Sequence, residues 1–290
     1  MKHRFVIGIG SQRAGSTLFH HLLEESTNIF MHPVKELHYF DTLYGFRAKE
    51  GLKDYSLRQM AREVEKIVTA KDLSFLHAKR YKCYLRANKT LGMLPIERIN
   101  YLDLFRPCLM NNKLLGEVTP EYMLLDDAAI KKMKQVIGED AAIILICRNP
   151  VKRLLSAVKL MNSYNNLRLN NETAGIWIER MIADNNSWML AQDKYNDYQS
   201  AIERYSRHFP HFIAISYDQM VTEPTQTAEK LANALNIQVN TEVFKLAAEK
   251  VINNLGSDFS VSEDVVEKIA ARYQNNQQFL ENFFGFKLVS

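Results

Sequence analysis

The stretch Phe5-Val-Ile-Gly-Ile-Gly-Ser-Gln-Arg-Ala-Gly-Ser-Thr-Leu-Phe-His-His-Leu-Leu-Glu24 constrains the fold more than any other part of this 290-residue chain. It joins an apolar strand, a turn of small residues and the opening of an amphipathic helix. Gly8, Gly10 and Gly15 permit tight backbone geometry between the two elements. Ser16 and Thr17 begin the helix, whose first N–H groups have no partner inside it. A strand that feeds a helix through such a turn makes a loop suited to a phosphate or sulfate. Leu18, Leu22 and Leu23 recur at helical spacing and carry that helix to about Glu24.

The remainder of the chain repeats the alternation. Asn28-Ile-Phe-Met31 reads as a short second strand, closed by the backbone restriction at His32-Pro33. Lys113-Leu-Leu-Gly-Glu117 leads to a strand end before Pro120, which cannot donate to a sheet ladder. Ala141-Ala-Ile-Ile-Leu-Ile-Cys147 is short, wholly apolar and bounded by polar turns, the pattern of a central strand buried on both faces. Phe212-Ile-Ala-Ile-Ser216 is a further strand. Helical patterns lie between, including Tyr195 to His208, a helix through Ala228, Leu231, Ala232 and Leu235, and a single tail helix from Asp264 to Gly285. This order predicts an α/β fold, a P-loop-like doubly wound parallel sheet flanked by helices. A single domain is expected over 1–290, with about 42–105 a mostly helical insertion.

Composition bounds the partners. A net charge of +4 is too small to indicate a nucleic-acid partner, although it suits anionic ligands. Cys83, Cys108 and Cys147 are widely spaced, without a disulfide framework or zinc spacing. The N-terminus enters a core strand at once, and no apolar run of about 18 residues is present, so a cytoplasmic protein without a membrane span is expected. Lys79, Arg80, Lys82, Arg86 and Lys89 fall together without an acidic residue, either as a solvated basic face or as an attraction for an anionic acceptor.

The identity of the anion turns on one position. A nucleoside-triphosphate loop reads Gly-x-x-x-x-Gly-Lys followed by Ser or Thr, and here Ser16 stands where the lysine belongs. The cation has moved to Arg13, inside the loop. Lys35-Glu36 and Arg148 with Ser156 also follow strands, so the order of elements brings all of them to one sheet edge, where open parallel sheets bind ligands.

These residues resemble the sulfotransferases that use 3′-phosphoadenosine 5′-phosphosulfate (PAPS), over most of the chain. Gln12-Arg-Ala-Gly-Ser-Thr-Leu18 is similar to the family's 5′-phosphosulfate loop, where a lysine, or an arginine in the tyrosylprotein branch, takes the place of Arg13. Cys147-Arg-Asn-Pro-Val-Lys-Arg-Leu-Leu-Ser156 is similar to its 3′-phosphate motif. Lys35-Glu-Leu-His-Tyr-Phe-Asp41 and Glu117-Val-Thr-Pro-Glu-Tyr122 are closest to the heparan-sulfate-type branch. Two positions depart from that branch: Val118 stands where it carries lysine, and Asn253-Asn-Leu-Gly-Ser-Asp-Phe259 lacks the basic residues of its loop near the C-terminus.

The resemblance implies specific roles. Gln12, Arg13, Ala14, Gly15, Ser16, Thr17 and Leu18 would hold the phosphosulfate, and Arg148 with Ser156 the 3′-phosphate. Glu36 would be the general base, Lys35 would orient the donor, and His38 is the acid–base runner-up. Arg153 is expected to support the fold, and Glu121 and Tyr122 to border the acceptor pocket. PAPS is the implied co-substrate, adenosine 3′,5′-bisphosphate its product, and a saccharide or small-molecule hydroxyl or amine the acceptor; no metal is expected. A kinase-like phosphotransferase and a non-catalytic nucleotide-binding protein remain the alternatives.

Overall fold

The computed structural model describes residues 3–252 and 259–288. Its centre is a parallel sheet of β1 (Arg4–Gly10), β2 (Phe30–Met31), β3 (Leu114–Val118), β4 (Ala142–Cys147) and β5 (His211–Ser216), in the order β2-β3-β1-β4-β5. All five strand regions expected from sequence form, and β2 contracts to two residues. The chain runs from β1 to one side of the sheet and later crosses to β4 on the other. The loop after β1 therefore lies where the connections diverge and a crevice opens at the carboxyl ends.

Alternation along the strands builds two apolar layers. On one face, Val6, Ile144 and Ile146 pack under α1 (Ser16–Ser26), α11 (Pro224–Leu235) and α12 (Thr241–Ile252), with Leu22, Leu231 and Phe244. On the other, Ile7, Ile143 and Leu145 meet α5 (Asp127–Ile137), α9 (Tyr198–His208) and α14 (Gln274–Phe284), with Met133, Tyr205 and Leu280. Each such aliphatic side chain contributes about 1.5–3 kcal/mol when fully buried. A third cluster joins α6 (Pro150–Asn165), α7 (Thr173–Asp184), α8 (Ser187–Asn196) and α13 (Glu263–Arg272) through Leu154, Ile178, Met189 and Ile269.

Between β2 and β3 lie α2 (Tyr39–Leu43) and the long helices α3 (Lys49–Thr69) and α4 (Lys79–Met93), which pack on each other. Arg80 fastens α4 to the sheet: its Nη1 donates to the Met31 carbonyl over 2.7 Å, and it pairs with Glu24 on α1. Lys79, Lys82, Arg86 and Lys89 of the same basic cluster are exposed. A short helix, α10 (Tyr217–Thr222), follows β5 directly.

Two expected helices are broken. Within Tyr195–His208, α8 ends at Asn196 and Asp197 starts α9, accepting a hydrogen bond from the Ser200 amide at 3.2 Å. A local cap of this kind restarts the helix without disturbing the apolar spacing on either side. The tail forms α13 and α14, separated at Tyr273. That side chain is buried, and its hydroxyl donates to Asp193 Oδ1 over 2.9 Å, fixing the bend. Of the stretch Asn253–Phe259, only Phe259 is among the described residues, so the expected absence of a basic loop falls outside them.

Candidate active site

The loop after β1 keeps its helix terminus open. Gly15 occupies the N-cap of α1 at φ 93°, and no side chain caps the first turn. The amides there remain available to an anion. Glycine is required twice over at this position: the φ is left-handed, and a Cβ would stand 2.5 Å from the Tyr217 ring. Ser16, Thr17 and Leu18 line a cavity of about 240 Å3 with Gln12, Arg13 and Gly15. Ala14 instead turns into the apolar layer beneath α1, with no exposed surface.

Arg13 and Arg148 face the same cavity from different strands. Arg13 Nε donates to Ser156 Oγ over 3.1 Å, and Arg148 Nη1 donates to the Arg13 carbonyl over 2.8 Å. Burial, and then the Arg148 charge, lower the Arg13 pKa. Two guanidinium groups converging in this way favour an anion between them. Arg148 Nε is buried without a hydrogen-bond partner, the guanidinium carbon lies 4.5 Å from the centre of the Tyr217 ring, and Ser156 completes this wall.

Arg153, one turn before Ser156 on α6, is fully buried and bonds to Asn196 Oδ1, Gln192 Oε1 and the carbonyls of Gln192 and Gln12. It braces the loop from behind. Asn149 caps α6, accepting from the Val151 and Lys152 amides at 2.9 and 3.2 Å. Pro150 then occupies the first turn, where its missing N–H costs nothing, and the helix delivers Ser156 to the cavity.

Lys35 and Glu36 close the opposite side of the cavity, with Lys35 Nζ donating to Glu36 Oε1 over 2.9 Å. His38 Nε2 lies 3.8 Å from Glu36 Oε2, and its Nδ1 lies 2.8 Å from Asp41 Oδ2 and 3.8 Å from Glu121 Oε2. Burial lowers the affinity of the imidazole for its proton. Asp41, Glu36 and Glu121 outweigh that effect and raise its pKa to about 9. Burial raises the Glu36 carboxyl, and the bonds from His38 and Lys35 with the Lys35 charge outweigh it, holding Glu36 below the ordinary carboxylate value.

Glu36, at φ 62°, and His38, at φ 50°, both hold left-handed backbone, as does Arg13 at 65°. Such conformations cost free energy and persist only where surrounding contacts fix them. Glu117, wholly buried at the end of β3, accepts from the hydroxyls of Tyr101 (2.6 Å), Thr119 (2.7 Å) and Tyr122 (3.0 Å) and from the Leu37 amide (3.4 Å). The Tyr122 hydroxyl in turn accepts from the Tyr39 amide at 3.0 Å. This buried network clamps the Lys35–His38 segment in place.

Several of these features were not visible from sequence. Tyr217 and Leu160 also line the cavity, and Glu117 holds the strained segment from below. The signal for Tyr217 was its position directly after a strand, at the same carboxyl edge as Arg148. Glu121, expected near the acceptor, accepts from Gln12 Nε2 over 3.1 Å and so joins the loop to the His38 group. Glu36, His38 and Glu121 bring potential metal-ligand atoms within 4.8 Å of one another, a grouping the spaced sequence positions did not reveal. Asp41 and Lys35 already engage His38 Nδ1 and Glu36 there. Val118 is buried with its methyl groups toward Gly8, inside the apolar layer.

A five-stranded parallel sheet with two arginines, an open helix terminus and a carboxylate around one crevice defines an α/β protein with a cationic pocket at the carboxyl edge of its sheet. The sequence matches the model of the family described as Sulfotransferase family over residues 5–241, and the chain belongs to that family.

Among solved structures, a sulfotransferase from Alicyclobacillus acidocaldarius shares its fold with a TM-score of 0.59 at 16% identity, over 99% of this chain and 98% of that one. A sulfotransferase from Mycobacterium avium aligns with a TM-score of 0.43 at 14% identity, covering 99% of this chain and 78% of its own. The sulfotransferase domain of the Synechococcus PCC 7002 olefin synthase aligns with a TM-score of 0.42 at 17% identity, over 94% and 96%. No curated protein sequence matches the chain. Among the described residues, no helix is long and apolar enough to cross a membrane.

Proposed function

We propose that this sulfotransferase takes its sulfuryl group from PAPS and passes it to a hydroxyl or amine of a carbohydrate or small-molecule acceptor, with Glu36 as general base. The observation that carries the reading is the convergence of Arg13, Arg148 and Ser156 with Lys35 and Glu36 around one cavity. The buried, unpartnered Nε of Arg148 and the uncapped terminus of α1 fit a ligand with two separate anionic groups. Bound there, PAPS supplies an activated sulfuryl group.

The residues divide the work. The amides and hydroxyls of Ser16 and Thr17 grip the phosphosulfate end, and Arg148 with Ser156 the 3′-phosphate. Arg13 neutralises charge that develops on the phosphate side during transfer. Lys35 shares the cavity with Arg13, so an anion there draws its ammonium away from Glu36. Glu36 then loses a partner that depresses its basicity and can accept the acceptor's proton. His38 is held protonated, and it orients Glu36 instead of removing a proton itself.

The motifs at Lys35–Asp41 and Glu117–Tyr122, similar to the heparan-sulfate-type branch, support a carbohydrate or small hydroxylated acceptor. Val118, packed toward Gly8, supplies no cation, so the chain differs from that branch at this point. Calorimetry with adenosine 3′,5′-bisphosphate and with ATP–magnesium tests the donor. Tight binding of the bisphosphate and weak binding of ATP are expected, and the reverse order overturns the reading.

A further inference from the structure

Helix α3 buries one face on α4 and carries a second, exposed apolar stripe, whose first member, Leu57, also lies against Gly92 of α4. Leu52 and Ser56 are buried, and Gln59 and Glu63 bond to Tyr84 and Tyr81 of α4. About 140° around the helix, Leu57, Ala61, Val64 and Val68 follow one another at spacings of four, three and four, all exposed. Val68 is 76% exposed, Val64 55% and Leu57 42%. That spacing of four, three and four matches the seam spacing of a two-helix coiled coil.

We infer that α3 is the contact helix of a symmetric homodimer, in which this stripe pairs antiparallel with the same stripe of a second copy. Antiparallel pairing sets Leu57 opposite the mate's Val68 and Ala61 opposite its Val64, and the two-fold repeats each layer. The flanking charges select both the occupant and the direction. Arg58 and Glu65 lie on the same side of the seam, each in the gap between the same two layers, so each Arg58 meets a Glu65 across the axis and the pair occurs twice. The opposite flank offers Met60 against Ile67, both half-buried. Parallel pairing would face Arg58 with the apolar flank and lose both ion pairs. A seam of four layers makes a small interface, and a dimer of micromolar rather than nanomolar affinity follows.

This surface is separate from the anion site, so its test does not depend on the proposed reaction. Sedimentation velocity on the full chain from about 1 to about 200 µM should show a concentration-dependent dimer. Val64→Glu should abolish it. Arg58→Glu should weaken it about tenfold, and adding Glu65→Arg should restore it, a rescue that a merely structural role would not produce.

Register is read by disulfide capture, since Cys83, Cys108 and Cys147 are all buried. Ala61→Cys with Val64→Cys should cross-link under mild oxidation. Val68→Cys alone should not, because its mate lies about 16 Å away along the axis. Unchanged circular-dichroism melts show that these exposed substitutions leave the fold intact. A monomer throughout the concentration range, a dimer indifferent to Val64→Glu, or cross-linking through Val68→Cys overturns the inference.

Discussion

Arg13 Nε donates a 3.1 Å hydrogen bond to Ser156 Oγ, joining the loop after β1 to a helix 143 positions further along the chain. The contact links the two motifs proposed to hold opposite ends of the donor. Each arginine in the crevice thus reaches beyond its own motif: Arg13 to Ser156, and Arg148 to the Arg13 carbonyl.

Arg13→Ala should lower kcat by about 100- to 1000-fold, the usual cost of removing one donor aimed at developing charge. Thermal stability should change little, because burial and the nearby Arg148 charge already oppose the ionised side chain. Arg13→Lys should fall between the two, keeping the charge and losing the fork. Steady-state sulfuryl transfer with labelled PAPS, alongside a melting curve, checks both; an unaffected rate means the loop has been misread.

Glu36→Gln preserves an oxygen for Lys35 and removes the site for a proton. The kcat for transfer should fall roughly 100-fold or more while affinity for adenosine 3′,5′-bisphosphate stays the same. Calorimetry and turnover on the same preparation separate these effects. A variant with full activity would return Glu36 to a purely structural partner of Lys35.

The sheet was legible because its strands are short apolar runs bounded by turn residues, and the β1 loop because glycine and hydroxyl residues stand at a strand–helix junction. Glu117 was not, since a carboxylate in a strand reads as exposed until Tyr101, Thr119, Tyr122 and Leu37 are brought around it. Nor could spacing place Tyr217 against both Arg148 and Gly15, which requires β5 to lie beside β4. The breaks at Asp197 and Tyr273 escaped for a related reason. Apolar periodicity continues through them, and the chain turns on single side-chain hydrogen bonds.

Gly15→Ala should cost about 1–3 kcal/mol and weaken binding of adenosine 3′,5′-bisphosphate together. The left-handed φ of 93° strains any L side chain, and the new methyl meets Tyr217 at 2.5 Å. Adding Tyr217→Ala should recover part of the stability by relieving the clash, but not the part due to φ. Chemical denaturation of the single and double variants measures the two contributions.

His38 should make stability depend on pH above neutrality. Its pKa rises from an ordinary value near 6.5 to about 9 in the folded chain, so the folded state binds the proton more tightly. The contribution is complete below about pH 6.5 and is lost as pH rises through about 9. For a side chain only 6% exposed, the shift corresponds to at most about 3 kcal/mol. Glu36 acts in a different window, because its lowered value gives stability that is lost only in acid. Urea denaturation at about pH 6 and about pH 9.5 should therefore show the wild type weakening with pH, and His38→Gln should flatten that slope. The slope reports whether the proton on His38 is held by Asp41, Glu36 and Glu121: a wild type equally stable at both values would mean that the imidazole is neutral, and would free it to act as a base.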